Sequence, residues 1–506
     1  MNLAAFAAHN AMLYPNRPAV SVHDEVRLTY SQLLVRVKSL AGWLRHAYDL
    51  NVGDRVAIFL PNCPEYIEIL IAIWHAGLVA VPVNYKLHPK ELSFIISNSG
   101  ASLCFCGREE VAELAECGET TRFIGVGSDE YEKGVTLYNA DCIDVSPDNI
   151  AWIFYTSGTT GQPKGAVLSH RNLLSMIMSY YADLDSISCR DAVIHAAPIS
   201  HGAGLYGLPH FVKGANQVIL ISPHFNPDEI AVLLRVYQGV TLFAAPTMVR
   251  RMAQSPAMAL TNLNNLKNII YGGAPMYREV LDEALGVFGA RLSQIYGQGE
   301  SPMTITALPK DVHLNGNGST DELLGSVGFV RTGVEVRVVD EAGWMLEPGS
   351  IGEVIVRGDV VMRGYWNNPE ATRKALKNGW LYTGDMGFFS EHGALTLVDR
   401  SKDVIISGGS NIYPREVEEV LLRHPSVLDV AVIGTPDEEW GETVTAFIVP
   451  CSGVIPNPND LDEMCLSNLA RFKRPKEYKF VETIPYNAYG KVSKVDLRKL
   501  STNETN

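Results

Sequence analysis

The chain has 506 residues, with 42 Lys and Arg against 56 Asp and Glu, a formal net charge of −14, and 46% hydrophobic residues. This length implies about two to four folding units with large cores, and the composition excludes a long disordered or collagen-like chain. The acidic balance argues against a nucleic-acid partner, which needs a basic surface, but leaves nucleotide binding open because a few local groups can hold one phosphate chain.

Residues 1–6 carry no basic group, so the start does not read as a signal peptide. Tyr66, Ile67, Leu70, Ile73 and Trp74 repeat at helical spacing, and 79–81 reads as a strand. The overlapping apolar run 69–83 is broken by His75, Gly77 and Pro82 and falls short of the ~20 residues of a membrane helix. It fits a buried helix running into a strand. Residues 90–97 are helical and stop at Asn98 and Gly100; 103–105 form another strand, beside Cys104 and Cys106. The eight cysteines include no CxxC pair, so buried free thiols in a reducing, cytoplasmic compartment are expected rather than a metal site.

An apolar strand over 151–154 leads into a glycine-rich loop, and Ser169-His170-Arg171 opens the next helix. Strand 218–221, helix 227–237, strand 241–244, helix 247–253, strand 268–271 and helix 276–288 follow. Buried strands alternating with helices predict βαβ units and a mostly parallel sheet. From residue 325 the pattern changes. Residues 334–339, 352–356 and 394–398 read as antiparallel strands with turns at Gly343, Gly349 and His392-Gly393, which predicts a small β-barrel-like unit. Helix 414–423, strands 427–433 and 444–449, and helix 461–471 predict a separate small α+β domain. The expected fold class is α/β, with a large N-terminal domain over 1–399 and a small C-terminal domain over 400–506.

Residues 155–165 hold four aliphatic hydroxyls, three glycines and one lysine. Glycines let backbone N–H groups approach an anion, hydroxyls donate hydrogen bonds, and Lys164 adds charge, which suits a polyphosphate cradle. No Walker A spacing fits, and a surface loop has the same composition. The order Ser157-Gly-Thr-Thr-Gly-x-Pro-Lys-Gly165 goes further. It resembles the phosphate-loop signature of the adenylate-forming superfamily, which includes acyl-CoA synthetases, firefly luciferases and the adenylation domains of peptide synthetases.

The resemblance extends along nearly the whole chain and implies roles for further residues. Thr156, Ser157, Gly158, Thr159, Thr160, Gly161 and Lys164 would hold the ATP phosphates. Gly272-Gly273-Ala274-Pro275 would line the adenine and acyl sites, although a plain strand-to-helix turn looks the same. Tyr296-Gly297-Gln298-Gly299-Glu300 resembles the family motif Tyr-Gly-x-Thr-Glu. Tyr296 and Gly297 would contact the nucleotide, and Glu300 would hold Mg²⁺, a hard cation that favours carboxylate and phosphate oxygens. Gly299 replaces the usual threonine; another group supplies its contact, or the space enlarges the acyl pocket. Tyr382-Thr-Gly-Asp385 places an acceptor-only carboxylate for the ribose diol, with a turn aspartate as the alternative. Arg400 would reach the ribose or phosphates.

Lys402 matches the hinge position, and its alternative is a solvated lysine. Gly408 and Gly409 would let the pantetheine arm of coenzyme A pass the backbone. Trp440 would stack on the CoA adenine or serve structurally; Arg471, Lys473 and Arg474 would meet CoA phosphates or form a solvated helix end. Pro485-Tyr-Asn-Ala-Tyr-Gly490-Lys491 resembles the catalytic-lysine motif, so Lys491 would stabilise charge developing on the α-phosphate, and Lys494 is expected to be solvated. His201, in 198–206, matches the residue that gates thiol access, with an ordinary satisfied histidine as the alternative. His201, Gly202, Gly204, Tyr206, Gly272 and Gly299 would line the acyl pocket; the small residues Gly202, Ala203, Gly204 and Gly299 suggest that it is roomy, and no basic residue obviously recognises a second carboxylate.

The implied activity is an AMP-forming acid–CoA ligase using ATP, Mg²⁺ and coenzyme A on an aromatic, cinnamic-type or medium-to-long-chain fatty acid. The C-terminal domain would rotate about Lys402 between adenylation and thioester formation. The alternatives are an adenylate-forming amide synthetase and a non-catalytic adenylate-binding protein of the same fold. The expected partners are small molecules, with no nucleic acid and no integral membrane segment, in a monomer or homodimer. No Gly-x-Ser-x-Gly elbow is present, which argues against a serine hydrolase.

Overall fold

The computed structural model describes the chain except residues 116–119, 157–161, 315–320, 408–409, 438–439, 452–453, 455, 488–491 and 504–506. Among the described residues, four sheets organise the protein. The first has six strands in the order Arg122–Val126, Ala101–Gly107, Arg55–Ile58, Val79–Pro82, Ile150–Thr156 and Lys164–Ser169. All neighbours are parallel except the last pair, an antiparallel hairpin.

The second sheet has nine strands. Its parallel centre runs Leu292–Tyr296, Leu266–Tyr271, Val240–Ala244, Ala192–His195, Asn216–Ile219 and Pro18–Val22. Antiparallel strands close its two edges: Thr306–Leu308 with Phe329–Val330 on one side, and Glu25–Thr29 on the other. The expectation of a mostly parallel α/β architecture holds for both sheets.

The apolar run is a helix, Pro64–His75, leading into strand Val79–Pro82. The helix touches strands of both large sheets, which explains why every residue from Tyr66 to His75 is buried. Each fully buried Ile or Leu side chain there stabilises the fold by about 1.5–3 kcal/mol. Its buried carboxylate, Glu68, is compensated: Arg36 donates from Nε at 2.5 Å and Nη2 at 2.8 Å, and the Tyr131 hydroxyl donates as well. No described helix is long and apolar enough to cross a membrane. Seven cysteines are described, none of them in a disulfide; Cys104, Cys106 and Cys465 are buried.

The third sheet is antiparallel and forms a half-barrel from Val334–Val339, Gly352–Gly358, Trp380–Phe389, Leu376–Lys377 and Leu395–Arg400. Its central strand, Trp380–Phe389, has no counterpart in the pattern reading because Thr383, Gly384 and Asp385 interrupt its apolar alternation. The fourth sheet, from Ile405–Ser407, Ser410–Ile412, Val427–Asp437, Gly441–Pro450 and Glu477–Phe480, belongs to the C-terminal part with helices Pro414–Leu422, Pro458–Asn468 and Lys494–Asn503. The buried apolar clusters divide at the same place: those holding residues up to 397 contain none beyond 404, and the converse.

Two boundaries differ from the sequence pattern for identifiable reasons. Strand Asn216–Ile219 begins two residues before the predicted 218 because its polar residues are paired: Asn216 Nδ2 donates to Ser21 Oγ at 2.9 Å, and Gln217 Oε1 lies 2.8 Å from His195 Nε2. Helix Pro458–Asn468 ends before the predicted 471, where Leu469 turns extended, and starts earlier under the Asn457 cap, whose side chain accepts from the Asn459 amide.

Candidate active site

Three site segments leave the C-terminal ends of parallel strands in the nine-stranded sheet. Strand Ala192–His195 leads to His201, Leu266–Tyr271 to Gly272–Pro275 (272–275), and Leu292–Tyr296 to Glu300. In open α/β sheets this is where ligands bind. The fourth segment is the hairpin of the six-stranded sheet, in which Thr156 and Lys164 are register partners. They bracket the glycine-rich loop; Ser157, Gly158, Thr159, Thr160 and Gly161 lie outside the described residues.

Glu300 connects the two sheets. Its Oε1 accepts from the Thr156 hydroxyl at 3.2 Å and from the Tyr365 hydroxyl at 2.7 Å. Lys164 Nζ sits 5.4 Å from the centroid of the same Tyr365 ring, a cation–π distance. Burial and the neighbouring Glu300 carboxylate push the Tyr365 phenol well above its ordinary range, so it stays a donor. The Tyr365 amide donates to Thr372 Oγ1 at 2.9 Å, and its backbone bridges to Ala166 of the hairpin. Ser169 and Asn172 form a reciprocal capping box, and Asn172 Nδ2 donates onward to the carbonyls of Asp359 and Val361 at 2.7 and 2.9 Å.

Asp385 forms a second polar centre and is buried. Its Oδ2 accepts from the Tyr296 hydroxyl at 2.7 Å and from Gln298 Nε2 at 2.5 Å, while Oδ1 pairs with Arg400 Nε at 3.2 Å. Asp385 and Arg400 are also register partners across the half-barrel. Burial would lower the Arg400 pKa, but the carboxylates of Asp385, Asp403 and Glu300 outweigh it and hold the guanidinium charged. The Gly384 φ of +71° and its amide bond to Glu353 Oε1 at 3.0 Å fix the turn that presents Asp385.

Gly202, Gly204, Gly272 and Gly299, expected to line an acyl pocket, do not leave open space beside their Cα atoms, although the sequence suggested room at Gly202, Gly204 and Gly299. A Cβ on Gly299 would lie 2.4 Å from Thr156 Cγ2 and 2.7 Å from Phe154 Cδ1. A threonine there would overlap the loop strand, so Gly299 permits close approach of the two sheets rather than enlarging a void. Phe243 and Met303 fill the place beside Gly202, the Ile199 carbonyl that beside Gly204, and the Ile295 carbonyl that beside Gly272. Gly297 lets the 303–304 backbone approach, whereas Gly273 faces open space, with Ala274 half-buried and Pro275 exposed. His201 precedes helix Gly202–Val212, its Nδ1 lies 3.0 Å from Ser200 Oγ, and its ring meets the Phe154 edge at 5.1 Å. The Tyr206 hydroxyl donates to the Met303 carbonyl at 3.1 Å.

The C-terminal residues divide. Lys402 is exposed in the short 3₁₀ turn Ser401–Asp403. Gly408, Gly409 and Lys491 lie outside the described residues. Trp440 is half-exposed. Of the basic cluster, Lys473 already holds both Glu416 oxygens at 2.7 Å and Arg474 pairs with Asp462; Arg471 is exposed. Lys494 is not a solvated lysine: it is largely buried, 3.6 Å from Asp399. No group of three or more His, Cys, Asp or Glu among the described residues is arranged to hold a metal. Sequence reasoning missed Phe154, Gln298 and Tyr365; an aromatic pair inside the polar turn 363–368 was the only local signal for Tyr365.

The chain matches the model of the AMP-binding enzyme family over residues 7–366 and that of the AMP-binding enzyme C-terminal domain over 416–491. It is 34% identical over 503 residues to the fatty acid–[acyl-carrier-protein] ligase ScoC of Streptomyces coeruleorubidus, covering 98% of this chain and 96% of that one. It is likewise 34% identical to a feruloyl-CoA synthase from Amycolatopsis, over 98% of both chains. Among solved structures, ATP-bound MatB from Rhodopseudomonas palustris superposes with a TM-score of 0.89 at 31% identity, over the full length of both chains. From its paired sheets, its strand-end site and these matches, the chain belongs to the AMP-binding enzyme family.

Proposed function

We propose that the protein is an ATP-dependent acid–CoA ligase. A carboxylate attacks the α-phosphate of ATP and pyrophosphate leaves; the thiol of coenzyme A then attacks the acyl-AMP carbonyl and AMP leaves. The observation that carries this is the placement of two polar centres around the strand ends: Asp385 with Tyr296 and Arg400, and Glu300 with Thr156, Tyr365 and Lys164.

Asp385 accepts three donors on a carboxylate with about four acceptor positions, so it suits a ribose diol once Gln298 or Arg400 yields. Arg400 stays charged for the phosphates. Lys164 and the glycine-rich loop bind the β- and γ-phosphates, and Lys491 stabilises the charge that develops on the α-phosphate. Glu300 Oε2 has no hydrogen-bond partner among the described residues, and one carboxylate beside phosphates fits Mg²⁺, which takes few protein ligands. That ion would neutralise phosphate charge. Tyr365 and Thr156 orient Glu300 through Oε1. His201, against Phe154, borders the path of the thiol. Rotation of the part beyond Lys402 exchanges Lys491 for Gly408-Gly409 between the steps.

The acid is an aromatic, cinnamic-type or medium-to-long-chain one; the names of the fatty acid and feruloyl relatives support both classes. The test is a panel of such acids assayed for pyrophosphate release and thioester, with CoA, an acyl-carrier protein or an amine as acceptor. Acid-dependent pyrophosphate release and a thioester that grows with CoA are expected. Product only with an amine would replace the ligase by an amide synthetase, and silence with every acid would leave a non-catalytic adenylate-binding fold.

A further inference from the structure

Arg331 follows the edge strand Phe329–Val330 and is 2% exposed. Its Nε donates to Asp183 Oδ2 at 3.0 Å, at the end of helix His170–Asp183. Nη1 and Nη2 are buried with no hydrogen-bond partner among the described residues. Buried guanidinium donors without acceptors forfeit the bonds they made with water, and native proteins seldom leave them so.

Tyr206 places this corner at the end of the acyl wall. Gly202 and Tyr206 lie four residues apart on one helix, so they share a face. A Cβ on Gly202 would touch Phe243 and Met303 at 2.7 and 2.9 Å. Tyr206 packs on Phe243 with ring centroids 6.0 Å apart and donates to the Met303 carbonyl. The same two residues therefore flank one helical turn, about 6 Å of rise, from beside His201 to Tyr206. Tyr180, Ile270, Ile295 and Ala307 complete an apolar cluster around Tyr206. Burial raises the Tyr206 phenol, and the nearby Arg331 guanidinium opposes that rise.

The charge of Arg331 is already balanced. Asp183 accepts from its Nε, from the Thr332 amide at 2.9 Å and from the Thr332 hydroxyl at 2.6 Å. The neighbouring Lys310 and Asp185 also pair, at 2.7 Å. A second substrate carboxylate would bury an uncompensated negative charge, whereas a neutral oxygen would engage the idle donors without adding one.

We propose that Arg331 is a specificity residue of the acyl site, donating through Nη1 and Nη2 to a neutral hydroxyl, ether or carbonyl oxygen at the distal end of the acid, roughly one helical turn beyond the reacting carboxylate. This rests on the acid-activating function proposed above.

The test compares kcat/KM for pyrophosphate release with cinnamate against 4-hydroxycinnamate, and with octanoate against 8-hydroxyoctanoate and octanedioate. In the parent enzyme at least one hydroxylated acid is expected to exceed its plain partner by about 10- to 100-fold, with the diacid no better than octanoate. In Arg331→Met that ratio falls to near one. Arg331→Lys keeps a cation beside Asp183 and so protects the fold, yet lacks the planar fork, and it should lose the ratio too. Plain acids turned over with equal efficiency to hydroxylated ones, or a preference that survives in both variants, would overturn the assignment of Arg331 alone. A preference for the diacid would overturn the neutral-oxygen chemistry. Inactivity with every acid would instead remove the ligase function itself.

Discussion

Asp385, on a half-barrel strand, and Arg331, just beyond an edge strand, are both buried charged groups, and they end in opposite states. Asp385 has three donors around one carboxylate, drawn from two sheets. Arg331 has one of its three nitrogens engaged with Asp183. In the proposed function this cluster is the nucleotide end, and its own hydrogen bonds orient it, as electrostatic preorganisation requires. The two terminal nitrogens of Arg331 have no partner among the described residues, and the nearby Tyr206 sits in a packed apolar cluster. Under the two proposals above, the part of the site that meets ATP is fixed internally, and the part that meets the variable acid is completed by it.

The strongest break falls on the chemistry at the nucleotide end. Lys491→Ala should cut adenylation by about 10²- to 10³-fold while largely sparing thioester formation from supplied acyl-AMP. Measuring the two half-reactions separately decides it, since equal losses would sink a lysine that serves one step only. Asp385→Asn comes next: the KM for ATP should rise by about 10- to 100-fold as a charge-assisted acceptor is lost. Its ranking of acids should match that of the parent; a changed ranking would mean the two ends are not independent.

Gly299→Ala tests the contact between the sheets. Its Cβ would sit 2.4 Å from Thr156 Cγ2, so stability should drop by about 1–3 kcal/mol, read as a lower urea midpoint. Thr156→Ser removes that methyl and keeps the hydroxyl, so adding it should recover part of the loss. Tyr365→Phe deletes the bond to Glu300 but keeps the ring beside Lys164; adenylation should fall by about 2- to 10-fold, and a larger loss would give the hydroxyl a role beyond orienting Glu300.

The smallest effect at neutral pH comes from histidines. Burial holds His170, His195 and His210 down to about 4, from an ordinary 6.5. The unfolded chain takes up these protons near 6.5 while the native protein does not. Their contribution is therefore complete above pH 6.5 and is lost as pH falls toward 4. Urea midpoints measured across that window should decline, and His195→Gln should flatten the decline.

The alternation of buried strands and helices was legible in the sequence because parallel strands buried on both faces read as continuous apolar runs. The motifs around Tyr296, Asp385 and Arg400 were visible one by one, and folding brings those three side chains into contact. What stayed hidden are the partners that meet only through the fold. Tyr365 reaches Glu300 from 65 residues away, and Arg331 reaches Asp183 from 148. The glycines misled for a related reason: the absence of a side chain says nothing of whether another chain segment occupies the place. Lys494 likewise reads as solvated until Asp399 packs against it.

The division of the apolar clusters near residue 400 has an evolutionary corollary. Each side carries its own cohesion, and polar contacts cross the divide: the Tyr277 hydroxyl donates to Glu418 Oε2 at 2.8 Å, Arg250 Nη1 to the Leu428 carbonyl at 3.3 Å, and Arg415 Nη1 to the Leu397 carbonyl at 3.1 Å, while Lys494 pairs with Asp399 at 3.6 Å. A grafted C-terminal part from a relative would need to match those side chains and leave both interiors untouched. Exchange of the smaller C-terminal part would leave both interiors in place, while recombination between the two large sheets, which share helix Pro64–His75, would have to rebuild an interior.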